Sequence, residues 1–210
     1  MNSLDNFKVI KEKVHKLQSK SNLIIVTKNR SFETILPIIQ SGQLHFGENK
    51  VQEAKEKWST FLNDNKNIKL HLIGKLQSNK AKDAFALFDF IHTLDSEKLA
   101  KIFSDLEKTT KKNLKYFIQV NIGNEAQKNG IDESALVDFI NFCKKDLCLN
   151  VIGLMCIPPI SLDPLPFFRK MQKLQTDNNL AELSMGMSSD YKEALDCGST
   201  YLRIGSAIFK

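Results

Sequence analysis

Leu4, Phe7, Ile10, Val14 and Leu17 recur at helical spacing, so residues 4–20 open the chain as an amphipathic helix. Beyond it the pattern changes to short apolar β-rich runs, each followed by a stretch whose apolar residues lie three or four apart. The runs are Leu23–Val26, Leu44–Phe46, Leu70–Ile73, Phe90–Leu94, Tyr116–Val120, Val151–Met155, Leu183–Met185 and Tyr201–Ile204. Helices are predicted between them. Ser31 caps one that ends at Gly42; one carries Val51, Ala54, Trp58 and Phe61 on a single face; one covers Ser78–Phe88. Ser96 caps a further helix, and others follow at about 133–145, 166–177 and 190–197. Short connections without a composition break predict an α/β chain folded as one single-domain (β/α)8 barrel over residues 1–210. A doubly wound open sheet is the other architecture compatible with this alternation.

In a barrel the C-terminal strand ends share one face, where active sites are built. Here those ends carry Lys28, Glu48, Asn49, Asn121, Met155, Ser188, Gly205 and Ser206. Desolvation favours the neutral amine of a lysine, the form that attacks a carbonyl. At the other end of the chain, Tyr201–Ile204 runs into Gly205 and Ser206, whose N–H groups are free to face an anion. A lysine amine beside a phosphate cradle points to an aldehyde-bearing phosphorylated cofactor held as a Schiff base. Ser188 and Ser189 would join the same cradle from the preceding loop. Arg203 could face a pyridine nitrogen and, always protonated, keep that nitrogen from taking a proton. The plain readings are an exposed turn lysine, a strand-ending glycine and an arginine paired with an acid.

Charge adds little to this picture. The net +6 is uneven, with 15 Lys+Arg against 7 Asp+Glu in residues 1–82. These lysines alternate with acids on helical faces, and aromatic residues do not interleave with them, so no nucleic-acid partner is expected. No apolar run reaches the roughly 18 residues that span a bilayer. The N-terminus lacks an apolar signal core, and Cys143, Cys148, Cys156 and Cys197 form no C-x-x-C pair, so reduced thiols in the cytoplasm are expected. His45, His71 and His92 fall on consecutive strands, but no H-x-H or H-x-x-x-H pair stands among them. Hydrogen-bonded core histidines are the simpler reading than a metal site.

Several blocks resemble the pyridoxal phosphate homeostasis protein family over nearly the whole chain. They are Val26-Thr-Lys28, Phe46-Gly-Glu-Asn49, Val51-Gln-Glu53, His71-Leu-Ile-Gly74, Leu76-Gln-Ser-Asn-Lys80, Gly153-Leu-Met-Cys-Ile-Pro-Pro159, Leu183-Ser-Met-Gly-Met-Ser188 and Arg203-Ile-Gly-Ser-Ala-Ile-Phe209. The resemblance implies a barrel similar to the barrel half of alanine racemase, with pyridoxal 5′-phosphate as cofactor. It implies Lys28 as the Schiff-base lysine, Arg203 at the ring nitrogen, Ser188, Gly205 and Ser206 at the phosphate, and Asn49 and Met155 near the ring. A place for Ser184 in the phosphate site is left open. Departures from the family pattern are Lys75 in place of a common histidine, Asn29-Arg30-Ser31 in place of a Lys-Pro-type turn, and Lys210 where a glycine and short tail are usual.

The function implied is a cofactor carrier that buffers or delivers pyridoxal 5′-phosphate, with apoenzymes that use the cofactor as partners and without catalytic turnover. A racemase of this fold needs a second acid/base, commonly a tyrosine from an additional domain and a partner subunit. Tyr116, Tyr191 and Tyr201 are not placed as strand-tip bases, and a monomer is expected. The rival reading is a pyridoxal phosphate-dependent racemase or lyase.

Overall fold

The computed structural model describes residues 2–125, 127 and 129–210. The polar loop expected after the fifth strand includes Ala126 and Lys128, which with Met1 lie outside the described residues. In chain order the elements are α1 (Ser3–Leu17), β1 (Asn22–Val26), α2 (Phe32–Gln40), β2 (His45–Glu48), α3 (Val51–Asp64) and β3 (Lys69–Leu72). Then come α4 (Ala81–Leu87), β4 (Phe90–Leu94), α5 (Glu97–Thr110), β5 (Lys115–Gln119), α6 (Glu133–Asn141) and β6 (Val151–Met155). The chain finishes with α7 (Leu165–Asp177), β7 (Glu182–Ser184), α8 (Tyr191–Asp196) and β8 (Tyr201–Ile204).

The eight strands are all parallel and pair in chain order, and β8 closes on β1, with Ile24 opposite Arg203 and Ile25 opposite Ile204. This is the single-domain (β/α)8 fold that the alternation predicts, not an open sheet. Side chains alternate along each strand, so the apolar residues separate into two bodies. One lies between sheet and helices, where Phe46, Leu72, Ile91 and Leu154 share a core with Trp58, Phe103 and Phe168. The smaller fills the barrel interior with Ile24, Phe90, Phe117, Met155 and Tyr201.

Local details differ from the sequence pattern for physical reasons. The opening helix begins with a capping box, Asn2 Oδ1 accepting from the Asp5 N–H at 2.9 Å, and ends at Leu17 because Gln18 is extended. Residues 78–80 form a 3₁₀ turn ahead of α4, and residues 142–146 add a π turn to α6. β2 runs to Glu48 because a glycine fits where an ideal Cβ on Gly47 would lie 2.8 Å from Ile24 Cγ2. Strand propensity does not register such a glycine. No helix follows β8 among the described residues. Instead the turn at 206–208 packs beside α1, whose Asn6 Nδ2 donates to the Ile208 carbonyl at 3.0 Å.

Candidate functional site

Barrel closure brings the two chain ends together. At the top of the β1–β8 seam an ideal Cβ on Gly205 would approach Val26 Cβ and its carbonyl at 3.1 Å, so only glycine lets the strand tips meet this closely. Above the seam lies a cavity of about 590 Å³, lined by Lys28, Asn49, Ser188, Arg203, Gly205 and Ser206. Ile73, Ile157 and Met187 supply apolar wall, and Ser189 and Lys210 also reach it. Six of the seven site residues expected from sequence therefore face one space, of a size usual for small-molecule pockets.

Lys28 follows β1 in an exposed turn, and its amine makes no hydrogen bond or ion pair among the described residues. The turn itself is anchored from below. The Thr27 carbonyl accepts from Lys57 Nζ at 2.7 Å, and Thr27 Oγ1 donates to Glu48 Oε1 at 2.7 Å. Glu48 Oε1 also accepts from Lys57 Nζ and Trp58 Nε1, each at 2.9 Å, while Oε2 is buried without a donor. Lys57 further pairs with Glu53, whose Oε1 accepts the Asn29 N–H at 2.5 Å. Asn29 takes the left-handed conformation, φ 56°, that lets the chain turn away after Lys28. Asn49 is fixed across β2–β3 by Gly74, where a Cβ would lie 2.2 Å from the Asn49 carbonyl oxygen.

On the opposite wall, Ser188 Oγ accepts from the Ala207 N–H at 3.2 Å and so ties the loop after β7 to the turn after β8. The N–H groups of Ser188, Ser189 and Ser206 donate to no acceptor among the described residues. Three such donors beside Gly205 form an anion cradle.

Arg203 points into the barrel and is only 4 % exposed. It forms no ion pair among the described residues. One N–H donates to Ser184 Oγ at 2.6 Å and another to the Cys156 carbonyl at 2.8 Å. Burial lowers its pKa from the ordinary guanidinium value, yet the group stays protonated across the accessible range. Of five guanidinium N–H bonds, two are used in this way. A buried cation held by neutral acceptors, with donors to spare at a cavity, calls for an acceptor from a ligand.

Other expected residues lie elsewhere. Met155 does not line the cavity; it is wholly buried with Ile24, Phe117 and Tyr201 inside the barrel, because its position in β6 points inward. Glu48 is locked in the anchor beneath Lys28, and Asn121 binds the Glu125 backbone. Ser184 does not line the cavity; it accepts from Arg203 and meets His92 Nδ1 at 2.8 Å in the buried interior. His92 Nε2 meets His71 Nδ1 at 2.9 Å, and His71 Nε2 meets His45 Nδ1 at 2.9 Å. The lone pairs of these histidines serve one another. The spacing of histidines on consecutive strands was the one sequence signal of this chain. Lys57 left no signal beyond ordinary helix patterning, while Glu53 and Ile73 stand only within the blocks that carry the family resemblance, with no role assigned to them.

Known proteins agree with this fold. The model of the family described as alanine racemase, N-terminal domain, matches residues 3–210. The pyridoxal phosphate homeostasis protein of Haemophilus influenzae is 34% identical over all of this chain and 95% of its own length. The chain belongs to the pyridoxal phosphate homeostasis protein family. A solved structure of PipY from Synechococcus elongatus without the cofactor superposes with a TM-score of 0.90 at 33% identity, covering 99% of each chain. A second PipY structure, with pyridoxal phosphate bound, gives 0.85 at 35% identity, covering 96% of this chain and 100% of its own. The family's barrel is thus present from α1 through β8. No helix among the described residues is long and apolar enough to cross a membrane.

Proposed function

We propose that this chain binds pyridoxal 5′-phosphate in the cavity above the β1–β8 seam and serves its homeostasis, buffering the cofactor or delivering it to apoenzymes in the cytoplasm. When bound, the cofactor supplies an aldehyde that a lysine amine can hold covalently as a Schiff base. Lys28 is the anchor: its amine has no protein partner among the described residues, while the Thr27 carbonyl just before it is held by Lys57. Ser188, Gly205 and Ser206 take the phosphate through the cradle of N–H groups, and Arg203 donates toward the ring nitrogen. Asn49 borders the ring; Met155 is left out of the contact set. Support comes from the PipY structure with pyridoxal phosphate bound and from the names of the curated relatives. The observation that carries most weight is the buried Arg203, without a carboxylate partner, in one cavity with Lys28.

A carrier without turnover is favoured by what the cavity wall lacks. Among the described residues no tyrosine, histidine or acidic side chain lines it beside Lys28. Tyr116 donates to Glu107 at 2.8 Å on the helix side of the sheet, and Tyr201 lies inside the barrel, where burial pushes its hydroxyl up to about 12. The unpaired cysteines Cys143, Cys156 and Cys197 are buried thiols, in keeping with a reducing compartment. Purified protein incubated with pyridoxal 5′-phosphate should turn yellow, and borohydride should bleach the band while fixing cofactor mass on Lys28. A Lys28→Ala protein with the same visible band would overturn the assignment. Turnover of D- or L-amino acids at ordinary enzyme rates would favour the racemase or lyase reading instead.

A further inference from the structure

The barrel interior holds a continuous polar thread to which the cofactor reading assigns no role. From the half-buried His45 near the N-terminal end of β2 it runs through His71 and His92 to Ser184 and ends on Arg203. Every link is between 2.6 and 2.9 Å, and His71, His92 and Ser184 are wholly buried. His71 stacks on Phe90 and His92 on Phe117, at 4.1 and 4.3 Å between ring centroids.

We propose that His92, acting through Ser184, is a positioning residue for Arg203, and that the three histidines work as one unit in which every proton points the same way. The direction follows from Arg203, which can only donate. Ser184 Oγ must accept from it, so the hydroxyl proton is left to go to His92 Nδ1. His92 then carries its proton on Nε2 and donates to His71 Nδ1. His71 likewise donates from Nε2 to His45 Nδ1, and the His45 Nε2–H faces outward. The reverse assignment would aim both His92 and Arg203 at one oxygen and orphan the Ser184 proton in a dry interior, which is costly. Burial, with neighbouring histidines and Arg203 adding to it, holds His71 and His92 well below the ordinary imidazole pKa, so the thread stays neutral.

The consequence, which rests on the cofactor reading above, is that the Ser184 hydroxyl proton stays on the His92 side, so that its oxygen always presents a lone pair to Arg203 and does not let it swing. The guanidinium is held at one orientation, with its remaining N–H groups directed at the cavity. His92→Phe keeps the stack on Phe117 but removes the acceptor. His92→Asn can restore it, because an asparagine Oδ1 falls close to the imidazole Nδ1 position. Ser184→Ala breaks the same link with little change in volume.

Titrating each protein with pyridoxal 5′-phosphate by absorbance and fluorescence tests this. His92→Phe and Ser184→Ala should each weaken binding about tenfold and shift the maximum of the bound cofactor's band. His92→Asn should stay within about threefold of wild type with an unshifted band. In cofactor-free wild type, ¹⁵N shifts should show all three rings protonated on Nε2 alone. Variants that bind and absorb as wild type, or a His92 protonated on Nδ1, would overturn the proposal. So would weakened binding with an unshifted band and no rescue by His92→Asn, the pattern of a purely structural role. Should His92→Phe fail to fold, Ser184→Ala decides by the same two readouts. Wild type that binds no cofactor would overturn the reading beneath as well, whereas binding indifferent to Ser184 would overturn only the role of the thread.

Discussion

The two ends of the cavity rest on polar foundations of opposite kinds. Beneath Lys28, Glu48, Lys57 and Glu53 are charged and lie between sheet and helix α3, with Lys57 exposed at only 8 % and Glu48 at 0 %. Beneath Arg203, His45, His71, His92 and Ser184 form a neutral thread inside the barrel. Burying a charge is tolerable where an opposite charge and several donors meet it, as at Glu48 Oε1. No carboxylate among the described residues bonds His71 or His92, and Arg203 already supplies one cation beside them. Neutral imidazoles, which can donate and accept at once, extend the network there without adding charge. The lesson is that the turn carrying Lys28 is held by ion pairing and the Arg203 guanidinium by neutral hydrogen-bond acceptors.

This contrast can be broken in several ways. The largest effect is expected from Lys57→Met, which leaves the Glu48 carboxylate buried without its cation and should cost about 3–5 kcal/mol in urea unfolding. A loss under 1 kcal/mol would place the charged cluster on the level of a surface pair.

The neutral thread should reveal itself through pH. His71 and His92 bind protons less readily when folded than the ordinary 6.5 of the unfolded chain. Their contribution to stability is therefore complete above about pH 6.5 and is lost as pH falls below it. Each should contribute a slope of about 1.4 kcal/mol per pH unit, measured as unfolding free energy between pH 6.5 and 5. A flat profile there would mean the thread takes up protons while folded. The smallest effect concerns the turn that carries Lys28. Asn29→Ala places a Cβ-bearing residue without a local side-chain partner at φ 56° and should lower stability by about 1 kcal/mol. Differential scanning calorimetry resolves this, and an unchanged midpoint would mean that the turn relaxes.

Much of this was legible along the chain. The runs at Phe90–Leu94, Val151–Met155 and Tyr201–Ile204 became strands with the same limits, and Ser96 caps α5 by accepting from Leu99 N–H. Two of the strands whose limits shifted, at Phe46-Gly-Glu and Leu183–Met185, contain or adjoin residues whose strand state depends on neighbours. Gly47 has no propensity of its own, and Met185 lies just past the pairing of Ser184 with Tyr201. The family resemblance implies Met155 near the ring, but which way a strand-end side chain points depends on register and shear, which the sequence does not display. The same holds for Ser184, whose neighbours His92 and Arg203 lie far away along the chain.

By itself the sequence determined the alternation of strand and helix, the lysine at the tip of the first strand and the glycine-serine turn after the last, because periodicity and turn chemistry act over a few residues. Only the tertiary structure decided that these two meet at one opening, that Lys57 props one of them, and that three histidines line up behind the other. Those contacts exist because the eighth strand closes on the first, and closure is a property of the whole ring.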